Sequence, residues 1–167
     1  EHGKAVVDRV LQSIGLDSRS FRPLLGALGD KFSDRFPFHP RPLQEIIDQL
    51  DPEDPNTNLL IAESETGSGK TEAAINWFCK LFISGKVDGL YFALPTRVAA
   101  RELYERVLDT VKRWFPQEEN RPNVLLAVPG YAQMDGMNPK DLIAGPEDSN
   151  LWQEDPDIQI AERLWAA

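Results

Sequence analysis

The stretch Ser64-Glu65-Thr66-Gly67-Ser68-Gly69-Lys70-Thr71 constrains the fold more than any other part of the chain. Its two glycines let the backbone turn tightly, so that successive N–H groups can converge on one anion. The flanks complete the pattern. Ahead of it, Leu59-Leu60-Ile61-Ala62 is a continuous apolar run, as expected of a strand buried on both faces. Behind it, Ala74, Trp77, Phe78, Leu81 and Phe82 recur at helical spacing, and Ser84-Gly85-Lys86 ends the series. Strand, glycine-rich turn and helix in this order bring a helix N-terminus, with its positive dipole end, to a polyphosphate. Thr66, Gly67, Ser68, Gly69, Lys70 and Thr71 are the candidate phosphate-binding residues. Lys70 would place a full charge on the outer phosphates, and Thr71 a hydroxyl on Mg2+. Ser64 stands where the motif has glycine, at a position that needs only a small residue.

The pattern then repeats. Leu90-Tyr91-Phe92-Ala93-Leu94 reads as a second strand. A helix follows over 98–114, presenting Leu103, Val107, Leu108, Val111 and Trp114, and Pro116 closes it. Val124-Leu125-Leu126-Ala127-Val128 reads as a third strand. Alternating strands and helices with short links predict an α/β fold, a parallel sheet with helices packed on it. Before the loop, helices are expected over 6–14, 21–28 and 43–50, with irregular chain at 29–42 and a turn at 51–56. After the third strand, 129–157 is rich in Pro, Gly, Asn and acid and reads as a long loop; 158–165 looks like the start of another helix.

Composition sets limits. The net charge of −9 excludes whole-surface attraction to nucleic acid and leaves room only for a local basic groove. No apolar run approaches the roughly 20 residues of a membrane span, and no signal peptide is visible. Cys79 is the one cysteine, so no internal disulfide forms, and a reducing, cytoplasmic setting is expected. His2 and His39 have no ligand-spaced neighbours for zinc. The chain opens at Glu1 without methionine and closes at Ala167 inside a helical pattern, which suggests a piece of something longer.

Two further positions narrow the chemistry. Pro40-Arg41-Pro42-Leu43-Gln44 opens a helix shortly before the loop. The amide of Gln44 could read the N6 and N7 edge of adenine with a donor and an acceptor, or it could be a solvated helix residue. Pro95-Thr96-Arg97 follows the second strand, and ligands of parallel sheets bind off the carboxyl ends of strands. Thr96 and Arg97 suit a nucleic-acid phosphate; Thr96 also suits a helix N-cap, and the two roles are compatible.

Taken together, Arg-Pro-Leu-Gln, Glu-Thr-Gly-Ser-Gly-Lys-Thr-Glu-Ala-Ala and Tyr-Phe-Ala-Leu-Pro-Thr-Arg resemble the first RecA-like lobe of a superfamily 2 helicase. The wording is most similar to the CRISPR-associated helicase-nuclease of type I systems, over roughly residues 36–115. The resemblance implies an incomplete P-loop, RecA-like lobe over 36–167, truncated before motif II. Residues 1–35 would be a helical linker following an HD nuclease domain. It implies that Gln44, with Arg41 beside it, meets the adenine of ATP, that residues 66–71 form motif I with Mg2+ on Thr71, and that Pro95, Thr96 and Arg97 form motif Ia on single-stranded DNA. It also implies recruitment by an RNA-guided surveillance complex and a monomeric, cytoplasmic protein.

A helicase also needs a carboxylate pair at the end of another core strand, to hold the metal shell and activate water. No apolar run in this sequence ends in Asp-Glu. The second lobe and the metal ligands of an HD nuclease are absent as well. The expectation is therefore a nucleotide cradle in which Lys70 is the sole catalytic candidate and hydrolysis is not self-sufficient. The same lobe of a restriction or repair translocase is an alternative. A non-catalytic partner-binding module is another, and a small P-loop kinase is disfavoured because no basic lid follows the third strand.

Overall fold

The computed structural model describes residues 17–128 and 131–134. The helices expected at 6–14 and 158–165, and most of the loop expected at 129–157, lie outside the described residues. The chain divides between Tyr91 and Phe92 into two compact units.

The described part of the first unit is helical. After a 3-10 turn at Ser18–Ser20 come α1 (Phe21–Gly26), α2 (Phe32–Arg35), α3 (Pro42–Asp48) and α4 (Lys70–Ile83). Local chemistry sets the ends. Pro42 occupies the first turn of α3, where its missing N–H and fixed φ suit a helix start. At the far end of α4, Gly85 takes φ +79, its N–H donates to the Phe82 carbonyl, and the Lys86 N–H donates to Leu81. That pair of bonds is a Schellman stop. The core gathers Leu25, Phe32, Phe36, Ile47, Ile75, Cys79 and Phe82, all buried, where α1 and α3 pack on α4. Phe32 stacks on Phe36 with ring centroids 4.6 Å apart.

The face that α4 buries differs from the expected one. Ala73, Ile75, Asn76, Cys79 and Phe82 are buried. Ala74, Trp77, Phe78 and Leu81 are half-buried. This helix is apolar almost all round, so periodicity alone does not say which side its neighbours take.

Neither apolar run of this region is a strand. Residues 59–62 and 90–94 carry no ladder. Leu59 is 76% exposed and Ile61 85%. A strand satisfies its backbone only through a neighbour, and among the described residues none pairs with either run. The expected parallel sheet is thus not seen at these runs among the described residues.

The second unit holds α5 (Arg97–Trp114), a 3-10 turn at Glu118–Asn120, and two strands, β1 (Leu125–Val128) and β2 (Tyr131–Met134). The third expected strand is present as β1, but its partner is antiparallel, with Leu125 opposite Met134 and Val128 opposite Tyr131. Tyr104 and Leu108 of α5 pack on Leu126 and Val128, with Ala100 and Val124 at the margin.

Candidate functional site

The glycine-rich turn begins where the first apolar run ends and closes on α4. Gly67 and Gly69 adopt φ +83 and +86, the left-handed region that glycine enters without steric cost. Gly69 is the N-cap of α4, so the N–H groups of the first helical turn open into the loop. The Ser68 N–H donates back to the Glu65 carbonyl at 3.2 Å, which draws the turn tight. Lys70 lies over it. Its ammonium donates to the carbonyls of Ser64 at 2.6 Å and Glu65 at 2.8 Å, and reaches Ser68 Oγ at 3.5 Å. Thr71 follows in the first turn. The Lys70 cation and the start of a helix thus meet at one glycine turn, groups of the kind that an anion recruits.

Gln44 is joined to this loop. Its Oε1 accepts from the Arg41 N–H at 2.9 Å, and its Nε2 donates to the Gly69 carbonyl at 3.0 Å. The two partners fix the orientation of the amide, since one is a donor and the other an acceptor. Gln44 is 1% exposed, so the solvated reading of this residue is overturned. Both amide functions are thus engaged within the fold, on Arg41 and Gly69. A Cβ on Gly69 would collide with Gln44 Nε2, so glycine is required there by contact as well as by φ. At Gly67 a Cβ meets nothing within 4 Å. Arg41, the N-cap of α3, is exposed.

Pro95, Thr96 and Arg97 belong to the second unit. All three are exposed. Thr96 Oγ1 accepts from the Ala99 N–H at 3.2 Å and caps α5, so the capping role is realised. Arg97 is the first residue of that helix.

A polar cluster between α2, α3 and α4 escaped the sequence reading. Arg35 Nη1 donates to Asn76 Oδ1 at 2.8 Å, and Asn76 Nδ2 donates to Asp48 Oδ1 at 2.8 Å. That same carboxylate oxygen accepts from the Phe32 N–H at 3.0 Å. Lys80 Nζ donates to the carbonyls of Asp48 and Leu50, both at 2.6 Å. Burial holds the Lys80 ammonium below its usual pKa, partly offset by Asp48. One signal was available: Asn76 and Lys80 stand one turn apart in a stretch of α4, residues 73–83, that is otherwise apolar. Beside them Cys79 is fully buried, and burial pushes its thiol up to about 12, with the Arg35 charge pulling the other way. It is a protonated core residue. Among the described residues no group of three or more His, Cys, Asp or Glu side chains could hold a metal, and no helix is long and apolar enough to cross a membrane.

No family profile matches the chain, and no solved structure matches it. Curated proteins do. The chain is 37% identical over 90 residues to the CRISPR-associated endonuclease/helicase Cas3 of Escherichia coli, covering 54% of this chain and 9% of that protein. It is 34% identical over 76 residues to the CRISPR-associated nuclease/helicase Cas3 of Streptococcus thermophilus, 46% of this chain and 8% of that one. It is 38% identical over 85 residues to the CRISPR-associated endonuclease/helicase Cas3 of Thermus thermophilus, 50% of this chain and 9% of that one. The matched stretch thus spans about a tenth of the length of these relatives. The resemblance to a CRISPR-associated helicase-nuclease, first read from three short motifs, is carried by about half of this chain.

Proposed function

We propose that this chain is the ATP-binding part of an ATP-dependent single-stranded-DNA translocase, the helicase of a CRISPR-associated helicase-nuclease. The observation that carries the reading is the junction of Gln44 with Gly69, a buried amide bonded to the last glycine of the candidate phosphate loop. A polyphosphate suits the donors present. Lys70 would exchange carbonyl acceptors for phosphate oxygens, and the first turn of α4 would supply N–H groups. Thr71 would hold Mg2+, which would neutralise charge between the outer phosphates. The Gln44 amide has the donor and acceptor that the N6 and N7 edge of adenine takes, and would have to be uncovered from its buried place to present them.

The proposed fold is a RecA-like P-loop lobe in which the runs at 59–62 and 90–94 are core strands. In the whole protein this lobe would act with a second lobe and a nuclease, in the cytoplasm, on DNA presented by an RNA-guided surveillance complex. Pro95, Thr96 and Arg97 would touch the DNA strand, their exposure and their place at the start of α5 being the support. With no Asp-Glu pair after an apolar run, the chain alone should bind nucleotide weakly and hydrolyse it slowly.

Titration with Mg-ATP tests the core of the reading. Wild type should bind, and Lys70→Ala should lose roughly tenfold or more, the effect of about 1.4 kcal/mol or more at a charge-assisted contact. Equal affinity of the two proteins would sink it. Labelled single-stranded DNA tests the second part: Arg97→Ala should lower the slope of log K against log salt by about 0.7 if one phosphate contact is lost.

A further inference from the structure

Arg35, Gln44 and Asn76 are the buried polar or charged residues of the described chain. All three lie where α2, α3 and α4 meet. A buried polar group costs free energy unless its bonds are made, and an apolar side chain would fill the same space more cheaply. Their gathering at one helix pair, with Gln44 bonded to the candidate nucleotide site, therefore asks for a reason beyond packing.

Geometry supplies one. Gln44 and Asp48 stand four residues apart on α3, so both lie on the side turned to α4. At one end of that side, Gln44 bonds the Gly69 carbonyl at the head of α4. At the other end, Asp48 bonds Asn76, and Lys80 grips the carbonyls of Asp48 and Leu50. Helix α3 is thus pinned to α4 at both ends by directional bonds. Apolar contacts permit sliding and rotation between helices; hydrogen bonds at two ends fix the register. Arg35 and the Phe32 N–H hold the distal pin from α2.

We infer that Asp48, Asn76 and Lys80 are positioning residues for nucleotide selectivity: the distal pin sets where the Gln44 amide stands against the phosphate loop, and so how well the site tells adenine from guanine. This rests on the proposed adenine role of Gln44. Affinity for phosphates should depend little on the pin, because the loop, Lys70 and the helix end are local to α4. Discrimination between bases should depend on it, because that needs the amide at a fixed height and angle.

The test measures affinities of the full chain for Mg-ATP, Mg-GTP and Mg-tripolyphosphate, with folding checked by circular dichroism. Wild type should prefer ATP, and Gln44→Ala should abolish the preference; if wild type shows none, the adenine role and the inference fall together. Given that preference, Asp48→Ala should cut the ATP-to-GTP ratio roughly three- to tenfold, the range for network residues that do not touch the ligand. Tripolyphosphate affinity should stay within about twofold. Asp48→Asn keeps the acceptor oxygen and should restore the ratio. If Asp48→Ala does not fold, Lys80→Met decides, since it strips two bonds of the pin and leaves the Asp48 carboxylate its bonds to Asn76 and the Phe32 N–H. An unchanged ratio in a folded variant overturns the inference and leaves the adenine role standing. Parallel loss of all three ligands also overturns it, by showing a structural role only.

Discussion

The α3–α4 junction and the runs at 59–62 and 90–94 invert the usual rule of inside and outside. At the junction, Asn76 and Gln44 are polar and buried to within 1%. In the runs, Leu59 and Ile61 are apolar and more than three-quarters exposed. The difference lies in where each element finds its hydrogen bonds. A helix satisfies its own backbone, so α3 and α4 form from local sequence and then choose partners for their side chains. A strand is incomplete without a neighbour, so an apolar run without one stays open however strong its pattern. Buried polarity here marks a completed element, and exposed apolarity marks an uncompleted one.

The largest effect should come from emptying the junction. Asn76→Ala removes one hydrogen bond to a guanidinium and one to a carboxylate, each worth roughly 1.5–3 kcal/mol when the partner is charged. A loss of about 3–5 kcal/mol in urea unfolding is expected. A loss below about 1 kcal/mol would mean that water replaces the asparagine and that the junction is looser than drawn.

Next comes a pair of glycines that share a dihedral angle and differ in surroundings. Gly69→Ala meets both a left-handed φ, costing about 1–2 kcal/mol, and a clash with Gln44, adding roughly 1–3 kcal/mol. Gly67→Ala meets the φ cost alone, because space around it is open. Thermal melts should therefore rank Gly69→Ala below Gly67→Ala. Equal losses would show that Gln44 gives way easily, and would weaken its link to the loop.

These residues also show what was legible in the sequence. The start of α4 at Lys70 and the cap at Thr96 were legible, since each depends on residues within one turn. The loop glycines were legible for the same reason. The bond from Gln44 to Gly69 spans 25 residues, and nothing in either sequence neighbourhood names the other. The buried face of α4 was misread because Trp77, Phe78 and Leu81 outweigh Asn76 in any apolar count, while the packing of α3 and α1 takes the side that holds Asn76. The pairing of Leu125–Val128 with Tyr131–Met134 was missed because the composition of 129–157 reads as a long loop, and pairing depends on a partner rather than on composition. The strand runs were legible as propensity, and pairing is not a property of one segment.

A smaller effect, with a sign fixed by linkage, belongs to Cys79. Its thiol is pushed up to about 12 in the folded chain from 9.0. Below pH 9 it is protonated in both states and stability is unaffected. As pH rises from there towards 12, only the unfolded chain ionises, so the folded state holds the extra proton and stability falls by up to about 1.4 kcal/mol per pH unit. Urea midpoints from pH 8 to 10.5 should show that decline, and Cys79→Ala should start lower, for the lost packing, and decline less steeply. Parallel curves would place the thiol in contact with water, and the junction with it.

The smallest expected effect bears hardest on the comparison. Ile61 is 85% exposed and outside any ladder. Substitution of a residue in that setting changes stability by no more than about 0.5 kcal/mol. If the run stays open as drawn, Ile61→Ser melts with wild type, and amide hydrogens at 59–62 exchange without protection. In the proposed RecA-like lobe the same residue sits in a central strand, where loss of a buried isoleucine costs about 2–5 kcal/mol. The two arrangements thus differ by a margin that one melt can resolve. A loss of 2 kcal/mol, with slow exchange at 59–62 and 90–94, would mean that this chain closes a sheet around those runs. Exposed apolarity would then cease to distinguish them from the junction. A silent substitution would mean that the loop and α4 are held by the helical junction alone, and that strand partners are not needed to shape the phosphate cradle.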